Sequence, residues 1–120
     1  MTASAAFLDF LRDHLSGLGP VRTRRMFGGT GVYLGEVMLG LVADDTLYLR
    51  TDPDLARDLE ADGSAPFTYE GKAKPVTMPY WRLPDAALDD PDVAVAWARR
   101  ALVPAEAAVA AKSARKARRG

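Results

Sequence analysis

The chain has 120 residues, 48% hydrophobic and 27% charged, the make-up of one soluble globular domain and not of a disordered segment. It has no cysteine, which excludes disulfides, thiolate catalysis and cysteine-held metal and fits a reducing cytoplasm. Its 16 basic and 16 acidic residues cancel, but residues 112–119 (KSARKARR) hold five of the bases, leaving 11 against 16, so a body of about −5 carries a basic tail, unlike a dedicated nucleic-acid domain with a basic folded face.

The opening MTASAAFLDFL lacks a basic leader and carries Asp9 within its apolar run, so it is not expected to be a signal peptide. No apolar run approaches the ~18 residues of a membrane span. Thr2 or Ser4 caps a first helix, on which Phe7, Leu8, Leu11, Leu15 and Leu18 recur at helical spacing. Gly17, Gly19 and Pro20 stop it. His14, the one histidine, sits beside that stripe and reads as a helix-surface residue.

From Val21 to Thr51 the period changes to that of strands: VRTRRMF, TGVYL, EVMLGLVA and TLYLRT, broken at Gly28-Gly29, Gly35-Glu36 and Asp44-Asp45. Two-residue turns at the last two points set a register. Val42 then faces Leu47 and Gly40 faces Leu49 on one side, with Tyr33 opposite Met38. On the other side Leu41 faces Tyr48, Val32 faces Leu39 and Leu34 faces Val37. Both faces come out apolar, so the sheet is expected to be covered on both sides, by helices or by a second subunit.

Asp52-Pro53-Asp54 opens a second helix running to about Asp62, and Gly63 ends it. PFTYEGKAKPVTMPYW reads as a hairpin around Glu70-Gly71-Lys72, with Pro75 and Pro79 marking a sheet edge. A last helix starts near Asp90-Pro91 and buries Val93, Ala94, Trp97, Ala98, Ala101 and Leu102. Asp85, Asp89, Asp90 and Asp92 cap it and lack the spacing of a calcium loop. The reading is an α+β domain over 1–102: two layers, a mainly antiparallel sheet of about five to six strands packed with helices, in the order α-β-β-β(-β)-α-β-β-α. Residues 103–120 are expected to form a basic, alanine-rich tail, flexible or a frayed helix.

Few residues offer chemistry. GGTG (Gly28, Gly29, Thr30, Gly31) precedes a strand and not a helix, so it is no phosphate cradle; glycine there supplies positive φ at a corner or bulge. On a strand Arg22 and Arg24 share one face as solvated charges. Arg25 points the other way and is expected to turn inward, forking to a carboxylate or stacking on a ring. Tyr69, Lys72, Lys74, Tyr80, Trp81 and Arg82 interleave aromatic and basic residues as a single-strand nucleic-acid platform does, or as a plain hairpin packs. Neither a metal nor a cofactor site is expected.

The stretch RRMFGGTGVYLGEVMLGLVADDTLYLRTD, with PFTYEGKAKPVTMPYWRLP and VAWARRAL, resembles the N-terminal domain of the TfoX/Sxy family, bacterial regulators linked to natural competence. The likeness spans roughly residues 5–102 and implies an α+β fold with an antiparallel sheet. Family positions fall on Arg25, Met26, Phe27, Gly28, Gly29, Leu47, Tyr48, Leu49, Tyr69, Tyr80 and Pro84, and no catalytic residue comes with them. The competence regulators carry a further helical C-terminal domain, whereas this chain is read as stand-alone with a basic tail. The expectation is a non-enzymatic, cytoplasmic regulator or adaptor acting through a protein partner or as a homodimer. The alternative is nucleic-acid binding by Arg22, Arg24, Lys72, Lys74, Tyr80, Trp81 and the tail.

Overall fold

The computed structural model describes residues 3–26, 29–70 and 73–119. In chain order the elements are α1 (Ala5–His14), β1 (Arg22–Met26), β2 (Gly29–Leu34), β3 (Val37–Ala43), β4 (Thr46–Arg50), α2 (Pro53–Ala61), β5 (Pro66–Glu70), β6 (Pro75–Arg82), α3 (Asp85–Asp89) and α4 (Pro91–Arg119). The strands form one antiparallel sheet in the order β1-β2-β3-β4-β6-β5. The α+β class and the order of elements are as the sequence indicates.

Local chemistry fixes the ends of the helices. Ser4 is the N-cap of α1: its hydroxyl accepts from the Phe7 amide at 3.1 Å, and its own amide donates to Asp45 at 2.6 Å, pinning the helix start to the β3–β4 turn. Asp52 caps α2 through the Leu55 amide at 2.8 Å, with Pro53 in the first turn. Asp90 accepts from the Asp92 and Val93 amides where α4 begins. The β3–β4 turn places both Asp44 and Asp45 at positive φ, as a two-residue type I′ hairpin requires.

One cluster holds the fold together. Leu11 and Leu15 of α1, Leu55 and Leu59 of α2, Ala87 of α3 and Ala94, Ala98 and Ala101 of α4 pack with Val32, Leu39, Val42, Leu47 and Leu49 of the sheet. All four helices therefore lie on the same side of it. An ion pair at 2.8 Å between Arg100 and Asp58 ties α4 to α2 across that layer. The expectation of helices on both sides does not hold. Among the described residues the second face of the sheet carries no helix.

Three further expectations are corrected. His14 is buried, not on the surface: its Nε2 lies 2.7 Å from the Ala87 carbonyl and its ring stacks on Phe10 at 4.6 Å. A carbonyl only accepts, so Nε2 carries the hydrogen, and the histidine fastens α1 to α3. β6 is interior, between β4 and β5, and the edge is β5. Pro79 is tolerated there because the β5–β6 ladder shifts register between Thr77 and Trp81, where no amide is asked of it, while its carbonyl accepts from Thr51 at 3.0 Å. Val93 is exposed, so α4 buries Ala94, Ala98 and Ala101 without it. The helix continues through Pro104, and the buried stretch ends at Pro104 and Ala105.

Candidate functional site

The open face of the sheet follows from one irregularity in β3. Tyr33 pairs with Met38, but Val32 pairs with Gly40, leaving Leu39 as the extra residue of a β-bulge. A single inserted residue reverses the in–out alternation across it. Leu39, Gly40 and Val42 consequently join Val32, Leu47 and Leu49 against the helices, and Met38 and Leu41 fall on the opposite side. The regular register expected from the sequence, with Val32 opposite Leu39, mixed these two sets. The bulge sorts them.

Cross-strand rows define what that side presents. Arg24, Gly31, Leu41 and Tyr48 form one row over β1 to β4, and Arg22, Tyr33 and Met38 form the next over β1 to β3. Arg50 on β4 faces Tyr80 on β6, both on the same side as Tyr48. Met38, Leu41, Tyr33 and Tyr48 are half-buried and stand outside the core cluster, and Met26 is 43% exposed. Gly31 is buried beneath these side chains: a Cβ there would lie 2.8 Å from the Tyr33 ring and 2.9 Å from the Met26 sulfur.

The rings on this face are already engaged. The Arg22 guanidinium sits 5.9 Å from the centre of Tyr33 and donates to the Gly35 carbonyl at 2.7 Å. Arg50 lies 5.5 Å from the centre of Tyr80, which is only 8% exposed beneath its neighbours. Tyr48 packs on Phe67 at 4.9 Å. The Arg50 Nε is buried and has no acceptor. Among the described residues Glu70 is the one acid within a strand, whereas Arg22, Arg24, Arg25, Arg50 and Arg82 are strand residues. The other described acids stand on helices, caps and turns, so within the strands arginine outnumbers acid. On the helix side, Arg57 of α2 is held above its ordinary pKa, first by its hydrogen bond to Asp54 and then by that carboxylate's charge.

The residues singled out from the sequence divide as follows. Arg22, Arg24 and Met26 lie on the open face. Arg25 shares the helix side of β1 with Thr23, yet is exposed and makes no hydrogen bond or ion pair among the described residues, so it does not turn inward. Trp81 pairs with Leu49 and packs on the core, which removes it from any platform shared with Tyr80. Lys74 is exposed beside the β5–β6 connection. β1 and β6 are four strand spacings apart, about 19 Å, so Arg22 and Arg24 do not converge with Lys74 and Tyr80. Gly29 and Gly31 do not have positive φ; a Cβ on Gly29 would meet the Val42 carbonyl oxygen at 2.6 Å, so close approach is what these sites need. Pro84 is buried and precedes α3. Phe27, Gly28, Lys72 and the Tyr69 side chain lie outside the described residues.

Two depressions occur elsewhere. One of about 310 Å³ is lined by Gly17, Asp92, Val95, Ala96 and Arg99, and one of about 100 Å³ lies by Phe7, Asp45, Leu47, Arg82 and Asp85. Arg25 lines neither. Among the described residues no three histidine, aspartate or glutamate side chains are grouped to hold a metal ion, and no helix is long and apolar enough to cross a membrane.

The family model described as the TfoX N-terminal domain matches residues 13–105. The chain belongs to this family. The matched span of the TfoX N-terminal domain runs from the end of α1 through the whole sheet to the last buried turn of α4, so it contains the open face and, apart from most of α1, the helical layer behind it. No curated protein matches the chain. Sequence reasoning missed Arg50, Tyr33, Met38, Leu41 and Phe67 as members of a surface. The signal available was the run of apolar residues on both parities of β3, which a bulge converts into two faces of different character.

Proposed function

We propose that this TfoX N-terminal domain is a non-enzymatic regulatory or adaptor domain that acts in the cytoplasm through protein–protein contact, with transcription- or competence-linked control as the process the family resemblance implies. The observation that supports this reading is the unroofed sheet face, on which Tyr33, Met38, Leu41 and Tyr48 are half-exposed although they neighbour a packed core. An extended apolar face of this kind is what a partner covers. Cross-linking with mass spectrometry, together with light scattering, tests it on the intact chain and a Leu41→Lys variant. The reading requires cross-links or self-association that the variant loses. Identical cross-links from both proteins, or none from either, would end it.

Nucleic-acid binding has one observation in its favour: Lys112 and Arg115 are exposed on the far end of α4. Fluorescence anisotropy against single- and double-stranded probes at low and high salt distinguishes it. Affinity that vanishes when residues 106–120 are removed is electrostatic attraction by the helix end; affinity that survives belongs to the sheet.

A further inference from the structure

We infer that the open face is a seat for an acidic amphipathic helix of a partner protein, an assignment that rests on the contact function proposed above and names the chemistry of its partner. Three features converge on it. The first is width. Arg22 and Arg24 on β1 and Arg50 on β4 stand three strand spacings apart, about 14 Å, and a helix with its side chains is about 10–12 Å across. The second is the floor between these two rails: Tyr33, Met38 and Leu41, with Gly31 buried under the Tyr33 ring and the sulfurs of Met26 and Met38. Methionine surfaces adapt to varied apolar side chains, and an apolar helical stripe is what such a floor accepts. The third is charge. Arg24 is exposed and makes no hydrogen bond or ion pair among the described residues, and the Arg50 Nε is out of water with no acceptor. Carboxylates on the flanks of a helix supply both, drawing the Arg50 guanidinium from Tyr80 to a better acceptor.

The same features disfavour the other occupants. A second copy packed face to face would set arginine against arginine, because none of the described side chains assigned to this face is acidic. Apart from Glu70, the described acids stand on helices, caps and turns, and Leu55 and Leu59 of the acidic α2 are already buried. Single-stranded nucleic acid needs free rings for its bases. Here Tyr33 is under Arg22, Tyr80 is under Arg50 and Tyr48 is against Phe67.

The test uses the full-length chain with ¹³C-methyl methionine and three synthetic 18-residue probes: a helix with a Leu/Phe stripe flanked by glutamates, the same helix flanked by lysines, and an oligothymidylate. The glutamate helix is expected to bind, to shift the Met26 and Met38 methyl signals, and to lose affinity as salt is raised. Arg24→Glu, at an exposed position without partners, keeps the circular dichroism of the parent and weakens that binding about five- to tenfold, while strengthening binding of the lysine helix. Binding of the lysine helix to the parent chain at least as tight as that of the glutamate helix overturns the charge assignment, and leaves the contact function standing. Oligothymidylate shifting the same methyls, or dilution alone shifting them through dimer dissociation, replaces the helix with a different occupant and also overturns it. No probe bound, with cross-links unaffected by Leu41→Lys, removes both the helix seat and the contact function.

Discussion

Adding a single methyl group at Gly40 tests the close approach of β3 to β4 on the helix side of the sheet. A Cβ at this position would lie 2.6 Å from the Tyr48 carbonyl oxygen and 3.3 Å from a Leu47 methyl carbon. The oxygen belongs to the neighbouring central strand, so relief requires moving backbone and not turning a side chain. Overpacking costs about 1–3 kcal/mol, and a strained ladder bond adds about 1 kcal/mol. The lower entropy of an unfolded alanine returns about 0.4–1 kcal/mol. Gly40→Ala should therefore destabilise by about 1–3.5 kcal/mol, a fall in melting temperature of roughly 5–15 °C for a domain of this size. Gly31→Ala is the control. Its new methyl meets the Tyr33 ring, Met26 and Met38 at 2.8, 2.9 and 3.4 Å, all side chains; the methionines can swing aside and the ring can tilt without moving backbone, so its cost should stay below that of Gly40→Ala. Urea and thermal unfolding followed by circular dichroism measure both. Equal destabilisation by the two substitutions would refute the backbone contact at Gly40.

The two faces should respond oppositely to truncation and charge. Leu49→Ala, at a fully buried core position, should cost about 2–5 kcal/mol, whereas Leu41→Lys on the open face should cost less than about 1 kcal/mol; chemical denaturation of both decides. His14→Leu keeps the packing but leaves the Ala87 carbonyl without its donor, an expected loss of about 1–3 kcal/mol in urea; an unchanged midpoint would show that the hydrogen bond contributes nothing. Asp52→Ala removes the cap of α2 and should lower stability by about 1 kcal/mol, with Asp52→Asn restoring most of it in the same assay.

Where the sequence reading succeeded, the determinants were local. A side chain such as Asp52 or Ser4 satisfies amides two or three residues away, and two-residue turns at Gly35-Glu36 and Asp44-Asp45 impose the pairing of the strands they join. Hence the order of elements and the pairing of Val42 with Leu47, Gly40 with Leu49 and Tyr33 with Met38 were all readable from short segments. The failures involve contacts made across long separations. His14 looks solvated on its own helix and is buried only because α3 arrives 73 residues later. Pro79 looks like an edge residue until β5 shifts register opposite it. Arg25 looks pre-positioned to turn inward, but no described carboxylate comes within reach.

The candidate site belongs to the second group, and Leu39 shows why. In a regular β3 its apolar residues fall on both sides, and a sheet greasy on two faces asks to be buried twice. With Leu39 inserted, the fully buried aliphatic residues Val32, Leu39, Val42, Leu47 and Leu49 go to the helices. Left outside with Leu41, and bordered by arginine, are the larger and more polarisable Tyr33, Met38 and Tyr48. These tolerate water better than bare aliphatic chains and still offer apolar area to a partner. One extra residue thus separates a surface that must be covered for the chain to fold from one that can be covered reversibly. That separation is what a domain working by contact requires, because a face essential to folding cannot also be released from its partner.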